Sequence, residues 1–198
     1  MDRAEWDARY AGEELLWRAE PNQFLVEEVA ELPPGRALDV ACGEGRNAIW
    51  LAEHGWNATG VDFSEVALAK ARRLADQRAV TVDWINADLL QWTPVAGAFD
   101  LVIVFYLQLP AAQRRQVYRR MATGVAPGGT MLVVGHDLDN LAHGYGGPRD
   151  ASVLFSPQDV AEDLSSLRIV KAQQVRRAVQ TDQGEAWAID ALVRATRS

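Results

Sequence analysis

The chain has 198 residues, of which 48% are hydrophobic and 24% are charged, a composition typical of one soluble globular domain. The net charge of -7 argues against a nucleic-acid partner, because phosphate binding needs a basic face. The densest basic cluster falls on one predicted helix, where we expect a solvated face: Arg114, Arg115, Arg119 and Arg120. No apolar run could cross a membrane, the first residues do not resemble a signal peptide, and Cys42 is the only cysteine. We therefore expect a cytoplasmic protein with no disulfide, metal site or membrane partner.

Predicted helices and strands alternate along most of the chain. Short helices are predicted at residues 4–10 and 22–32, before Pro33, Pro34 and Gly35. Seven strands are predicted, at residues 36–41, 57–62, 80–85, 99–105, 130–136, 167–179 and 185–194. Further helices are predicted at residues 47–54, 64–78, 110–123 and 157–164. The glycine-rich residues 137–151 are predicted to form a loop over the sheet.

This alternation predicts an α/β fold. We expect a Rossmann-like, doubly wound and mostly parallel seven-stranded sheet, with an antiparallel C-terminal strand and helices on both faces. Ligands bind such sheets at the carboxyl ends of the strands, near the point where the strand order reverses. We expect a single domain over residues 1–198, in which a helical segment over residues 1–34 precedes the core at 35–198.

A glycine loop follows the first predicted strand. Residues 43–48 read Gly-Glu-Gly-Arg-Asn-Ala, and Asp62 lies 19 residues beyond Gly43, a spacing that would permit NAD binding. However, Asp39 precedes the loop and Glu44 lies within it, and two carboxylates beside a diphosphate would be unfavourable. A ligand that is cationic and lacks phosphate, such as S-adenosylmethionine, removes this conflict. Ala41 stands before the glycines, and we expect a negative φ there.

Several segments resemble motifs of the class I S-adenosylmethionine-dependent methyltransferases, in the family's order and spacing over residues 36–136. Residues 38–45, Leu-Asp-Val-Ala-Cys-Gly-Glu-Gly, are similar to the first motif, and residues 60–64, Gly-Val-Asp-Phe-Ser, to the acidic segment of the second strand. Residues 86–89, 99–102 and 125–129 resemble the segments after strand three, in strand four and before strand five. In the front segment, residues 6–10, 14–17 and 21–25 resemble the small thiopurine and tellurite-resistance type, in which this segment forms a lid.

The resemblance implies roles for individual residues. Asp39 would lie near the methionine ammonium, Asp62 would accept both ribose hydroxyls, and Phe63 would lie against the adenine. Asp88 would accept from the adenine amino group beside the Leu89 backbone, and Phe105 would lie at the methionine end. The expected cofactor-binding set also includes Trp17, Ala41, Gly43, Arg46 and Ser64.

The methyl acceptor is expected to be a small molecule, because residues 105–110 lack the Asn/Asp-Pro-Pro-aromatic segment of enzymes that methylate nucleic-acid bases. A thiol or oxyanion acceptor needs no general base, whereas a hydroxyl does. The candidates for catalytic residues are His136, Tyr10 and His143. Two alternatives stay open, a non-catalytic S-adenosylmethionine sensor and an NAD-dependent oxidoreductase. The protein is expected to be a monomer or a homodimer.

Overall fold

The structure is a computed structural model that describes residues 2–182 and 184–198. Its seven strands are β1 (Arg36–Val40), β2 (Asn57–Asp62), β3 (Asp83–Asn86), β4 (Phe99–Phe105), β5 (Val125–His136), β6 (Arg168–Thr181) and β7 (Gly184–Thr196). Its seven helices are α1 (Arg3–Tyr10), α2 (Gln23–Val29), α3 (Arg46–Glu53), α4 (Glu65–Gln77), α5 (Ala111–Thr123), α6 (Asn140–His143) and α7 (Pro157–Asp163). Within the described residues, no helix is long and apolar enough to cross a membrane.

The strands form one sheet in the order β3-β2-β1-β4-β5-β7-β6. Strands β1 to β5 are parallel, β7 is antiparallel to β5, and β6 pairs antiparallel with β7 at the edge. This arrangement confirms the predicted doubly wound, mostly parallel fold. The strand order reverses between β1 and β4, which places the carboxyl ends of β1, β2, β4 and β5 around one crevice.

Helices cover both faces of the sheet because the central strands are apolar on both sides. In β4, Leu101 and Ile103 pack against α2 and α3, whereas Val102 and Val104 pack against α5 and α7. All four side chains are fully buried. A strand buried on both faces reads as a continuous apolar run, which is why β4 is readily predicted from sequence.

The basic residues of helix α5 were expected to be solvated, but one of them is buried. The Arg114 side chain is buried, and its Nε donates to Asp163 Oδ2 at 2.9 Å. Arg115 bonds the other carboxylate oxygen, and the Arg120 guanidinium donates to the Leu89 carbonyl at 3.1 Å. The cluster therefore attaches α5 to α7 and to the segment after β3, and the prediction was wrong for Arg114.

Two strand boundaries also differ from the sequence expectation. Strand β5 begins at Val125 rather than at residue 130, because Val125 already pairs with Phe99 of β4 before the register shifts at the glycines. Strand β3 is limited to Asp83–Asn86. The predicted loop over residues 137–151 contains the short helix α6, and Asp137 forms an isolated bridge with Phe155.

Candidate active site

The loop after β1 turns through three left-handed residues. The φ angles are 57° at Ala41, 54° at Gly43 and 80° at Gly45. The expectation of a negative φ at Ala41 was therefore wrong. A left-handed alanine costs about 1–2 kcal/mol, because its Cβ approaches the following carbonyl oxygen. The Cys42 N–H donates to the Val61 carbonyl at 3.1 Å, and this bond beyond the end of β1 holds the loop in that conformation.

Gly43 lies directly beneath the first helix. A Cβ atom built on Gly43 would lie 2.9 Å from the Tyr10 hydroxyl, so the backbone here must stay bare. Tyr10 is buried, stacks on Trp6 with ring centroids 5.6 Å apart, and has its pKa raised by burial. Tyr10, a candidate catalytic residue, therefore covers the glycine loop as a neutral phenol.

Asp62 ends β2 with its carboxylate turned toward the glycine loop. One oxygen accepts from the Gly43 N–H at 2.8 Å and the other from the Ser64 N–H at 2.9 Å. Burial raises the Asp62 pKa, and these backbone bonds oppose the shift. Each carboxylate oxygen can accept a second hydrogen bond. Asp62 can therefore take two adjacent hydroxyl groups while it holds the loop.

The Asn86 side chain, which was not among the predicted cofactor-binding residues, joins the ends of β2 and β3. The Asn86 amide donates to the Phe63 carbonyl at 3.0 Å and to the Asp62 carbonyl at 3.3 Å. Asp88 is half-buried, and its Oδ1 accepts from the Leu90 N–H at 2.9 Å. Phe63 is also half-buried, and the Arg3 guanidinium lies 5.9 Å from its ring centroid. Phe63 and Asp88 therefore follow neighbouring strands, as a site for an aromatic base requires.

Asp39 is the second buried carboxyl group near the loop. Its Oδ2 accepts from the Ala48 N–H at 3.2 Å, and burial raises its pKa to about 7. Arg46, the first residue of α3, lies close enough to Asp39 for the two charges to attract each other. Burial lowers the pKa of Arg46, and the nearby Arg177 adds to this effect. A buried carboxyl that is half ionised near neutral pH would gain from a cationic ligand.

Glu44 does not present an uncompensated charge to the loop, which corrects part of the argument against phosphate. Its Oε1 lies 3.0 Å from Lys70 Nζ, and both side chains are 5% exposed. The argument for a cationic ligand therefore rests on Asp39 and Asp62. The Cys42 thiol is buried, and burial raises its pKa, so it fills space in the loop as a neutral thiol.

A second polar cluster lies at the ends of β4 and β5. The Tyr106 hydroxyl donates to Asp190 Oδ2 at 2.8 Å and accepts from Arg177 Nε at 3.1 Å. Arg177 Nε also donates to Asp190 at 2.9 Å. His136 Nδ1 lies 3.2 Å from Asp190 Oδ1 without the alignment of a hydrogen bond, and its ring is 4.9 Å from that of Tyr106. Of these four residues, only His136 was among the predicted catalytic residues.

The backbone at Tyr106 is strained. Its φ is 55°, a strained conformation for an aromatic residue, and its N–H donates to the Val134 carbonyl at 2.7 Å. Strain of this kind is concentrated at functional sites. Phe105, predicted at the methionine end, is buried among the core side chains that α2 and α3 contribute. The chain thus turns at Tyr106, which presents its hydroxyl to the cluster.

The loop after β5 packs onto His136. A Cβ atom on Gly147, whose φ is 77°, would lie 3.0 Å from the His136 ring. His143 ends α6, in the same loop, and its side chain is exposed.

The remaining predicted site residues lie near the N-terminal segment. The Trp17 side chain is 44% exposed, and its ring lies near the Arg9 guanidinium. Ser64 caps α4 and also donates to Asp7 of α1. Within the described residues, no group of three His, Cys, Asp or Glu side chains could hold a metal ion.

Together these residues fit S-adenosylmethionine. Asp62 has spare acceptor capacity for a ribose, Phe63 and Asp88 suit an adenine, and the Asp39 carboxyl suits an ammonium. The bare backbone at Gly43 allows close approach of a ligand. Tyr106 and His136 lie on the other side of the point where the strand order reverses, at the ends of β4 and β5.

Several known proteins with similar sequences are methyltransferases. Residues 37–129 match the family model described as a methyltransferase domain. Demethylmenaquinone methyltransferase of Thermus thermophilus is 34% identical over 62% of this chain and 55% of its own length. Ribosomal RNA small subunit methyltransferase C of Alcanivorax borkumensis is 31% identical over 51% of this chain and 32% of its own. Thiocyanate methyltransferase 1 of Arabidopsis thaliana is 26% identical over 93% of this chain and 82% of its own. The chain thus spans about half or less of the first two relatives.

Solved structures share the whole fold. A protein solved in work on the conversion of a disulfide bond into a thioacetal group during echinomycin biosynthesis has a TM-score of 0.79 and 23% identity. It covers 99% of this chain, and this chain covers 92% of it. TehB from Haemophilus influenzae has a TM-score of 0.72 and 16% identity, over 99% of this chain and 67% of that one. At these identities the likeness establishes the fold.

Proposed function

We propose that this chain carries a class I S-adenosylmethionine-dependent methyltransferase domain and that it transfers the methyl group to a small-molecule acceptor. The observation that carries the proposal is the pair of buried carboxyls, Asp39 and Asp62, beside a bare glycine loop. Such a site suits a donor with a cationic amine and a ribose, and disfavours a diphosphate.

The chain's own residues mainly bind, orient and exclude water. Methyl transfer is an in-line displacement for which S-adenosylmethionine supplies the activated methyl group, so alignment provides most of the catalysis. We assign Asp62 and Asp39 to donor binding, with Phe63, Asp88 and the Leu89 backbone around the adenine. Tyr10 would shield the glycine loop from water, since its ring is buried above Gly43.

The polar cluster at the ends of β4 and β5 would receive the acceptor. His136 stands where it could take a proton from a hydroxyl acceptor, and Tyr106 would help to orient that group. For a thiolate or an oxyanion no base is needed, and the positive charges of Arg46 and Arg177 would favour the anion. His143 is a less favourable base than His136, because its side chain is exposed at the end of α6.

A small acceptor is favoured over nucleic acid. The net charge is -7, and part of the basic cluster on α5 is internally paired with Asp163. Residues 105–110 after β4 also lack the segment of enzymes that methylate amino groups of bases. Within the small-molecule class, the front segment over residues 1–34 supports the thiopurine and tellurite-resistance type, in which it would act as a lid on the core.

Turnover separates the enzyme from its non-catalytic alternative. The purified protein would be incubated with S-adenosylmethionine and a panel of thiols, phenols, carboxylates and oxyanions, and S-adenosylhomocysteine would be quantified by mass spectrometry. We expect release above the no-acceptor control for one acceptor class, and loss of that release in Asp62→Ala. Tight cofactor binding without turnover on any acceptor would favour a sensor and contradict the proposed transfer.

A further inference from the structure

The N-terminal segment is attached to the glycine loop by a buried ionic group. Glu44 accepts from the Leu16 N–H at 3.0 Å and from the Trp17 N–H at 3.2 Å. Lys70 Nζ of α4 donates to the same carboxylate at 3.0 Å and to the Glu14 carbonyl at 2.6 Å. We call Glu44, Lys70 and the backbone of residues 14–17 the clasp. The clasp thus joins the loop, α4 and the N-terminal segment.

A buried pair of this kind is not explained by stability alone. Removing two charges from water costs about as much as their attraction returns, and apolar replacements are often neutral or stabilising. In this structure the Glu44 and Lys70 side chains form three hydrogen bonds with backbone groups of residues 14–17. These bonds form only when the segment lies on the loop. The pair therefore suits a reversible attachment.

The attachment acts where the cofactor would lie. When residues 14–17 are held at Glu44, the preceding helix α1 places the Tyr10 hydroxyl over Gly43. A second contact, from the Ser64 hydroxyl to Asp7, fixes α1 at the start of α4. Glu44 itself lies in the loop that would face the donor. A movement that lifts residues 10–17 together off the loop must therefore break the clasp.

We infer that Glu44 and Lys70 are positioning residues that fasten the N-terminal segment over the cofactor and so slow its release. This inference rests on the proposed function, because it takes the glycine loop to be the cofactor site. Neither side chain needs to touch the cofactor for this role. Both act through the backbone of residues 14–17.

Stopped-flow dissociation of S-adenosylhomocysteine tests the inference. The variants are Lys70→Met, which leaves Glu44 without its ionic partner, and the double variant Glu44→Gln/Lys70→Met. The double variant removes both charges of the pair, so that neither is left buried without its partner. We expect dissociation to become roughly tenfold faster in both, since each variant loses the charge-assisted hydrogen bond from Lys70 to the Glu14 carbonyl. The double variant also replaces the charged acceptor of the Leu16 and Trp17 N–H groups with a neutral amide. Arg72→Met is the matched control, because Arg72 lies on the same helix and forms an exposed pair with Glu65. Dissociation within twofold of the unaltered protein in both clasp variants would overturn the inference.

Amide hydrogen exchange gives a second measurement that needs no ligand. The Leu16 and Trp17 amides should exchange at least about tenfold faster in the clasp variants than in Arg72→Met, because their acceptor is weakened or mobile. Unchanged exchange would overturn the clasp. If the clasp variants exchange faster but the unaltered protein does not bind S-adenosylhomocysteine, the proposed function is refuted. The role of the clasp in cofactor release is then refuted with it.

Discussion

Replacing Asp62 with alanine tests the proposed donor site, because this side chain connects the glycine loop to the end of β2. The side chain accepts from the N–H groups of Gly43 and Ser64, at 2.8 and 2.9 Å, and would also accept the ribose hydroxyls. Each buried N–H left without an acceptor costs about 1–3 kcal/mol. We therefore expect Asp62→Ala to lower the free energy of unfolding by about 2–4 kcal/mol, and to weaken S-adenosylhomocysteine binding at least about tenfold.

Two ligands separate loss of the ribose contact from a general distortion of the loop. Isothermal titration calorimetry would be run with S-adenosylhomocysteine and with 5′-methylthioadenosine, which keeps the ribose and lacks the amino acid. Asp62→Ala should weaken both, whereas Asp83→Ala, an exposed position on β3, should weaken neither. Affinities within twofold of the unaltered protein, in a folded Asp62→Ala variant, would refute the ribose assignment.

Three further predictions concern the same site. Because the Asp39 pKa is raised to about 7 and a cationic amine favours its ionised form, S-adenosylhomocysteine binding should be about tenfold weaker at pH 6 than at pH 8. Calorimetry should show no such pH dependence for the Asp39→Asn variant or for 5′-methylthioadenosine. An equal change in affinity between pH 6 and pH 8 in either case would contradict the placement of Asp39 beside the ammonium. Ala41→Gly should raise the free energy of unfolding by about 0.5–1 kcal/mol in denaturant titrations, because φ is 57°; a decrease would show that the alanine is unstrained. His136→Gln should lower kcat at least about tenfold for a hydroxyl acceptor and leave cofactor affinity unchanged, and an equal kcat would exclude His136 as the base.

The fold and the positions of the residues around the glycine loop were largely predictable because they depend on local patterns. The buried run of β4, the glycines after β1 and the acids at the ends of β1 and β2 are each visible within a few residues. In the structure the Gly43 N–H donates to Asp62, and Asp39 lies on β1, the strand that pairs with β2. Parallel pairing of β1 with β2 brings these residues together, since both strands end at the same edge.

The polar cluster around Tyr106 and the charge balance at Glu44 depended on distant partners. Glu44 was read as an open charge, because Lys70 lies 26 residues away and α4 had to be placed before the pair became visible. Asp190 organises the second cluster from β7, 84 residues beyond Tyr106. The positive φ at Ala41 is imposed by the bond from Cys42 to β2 and overrides the residue's own preference. In each case tertiary contacts, rather than local sequence, decide the outcome.

The most direct measurement of the central claim is a calorimetric titration of the purified protein with S-adenosylhomocysteine and, separately, with NAD. We predict stoichiometric, saturable binding of S-adenosylhomocysteine and no detectable binding of NAD at the same concentrations, because Asp39 and Asp62 favour a cationic ligand without phosphate. Tight binding of NAD alone would contradict the methyltransferase function and favour an oxidoreductase.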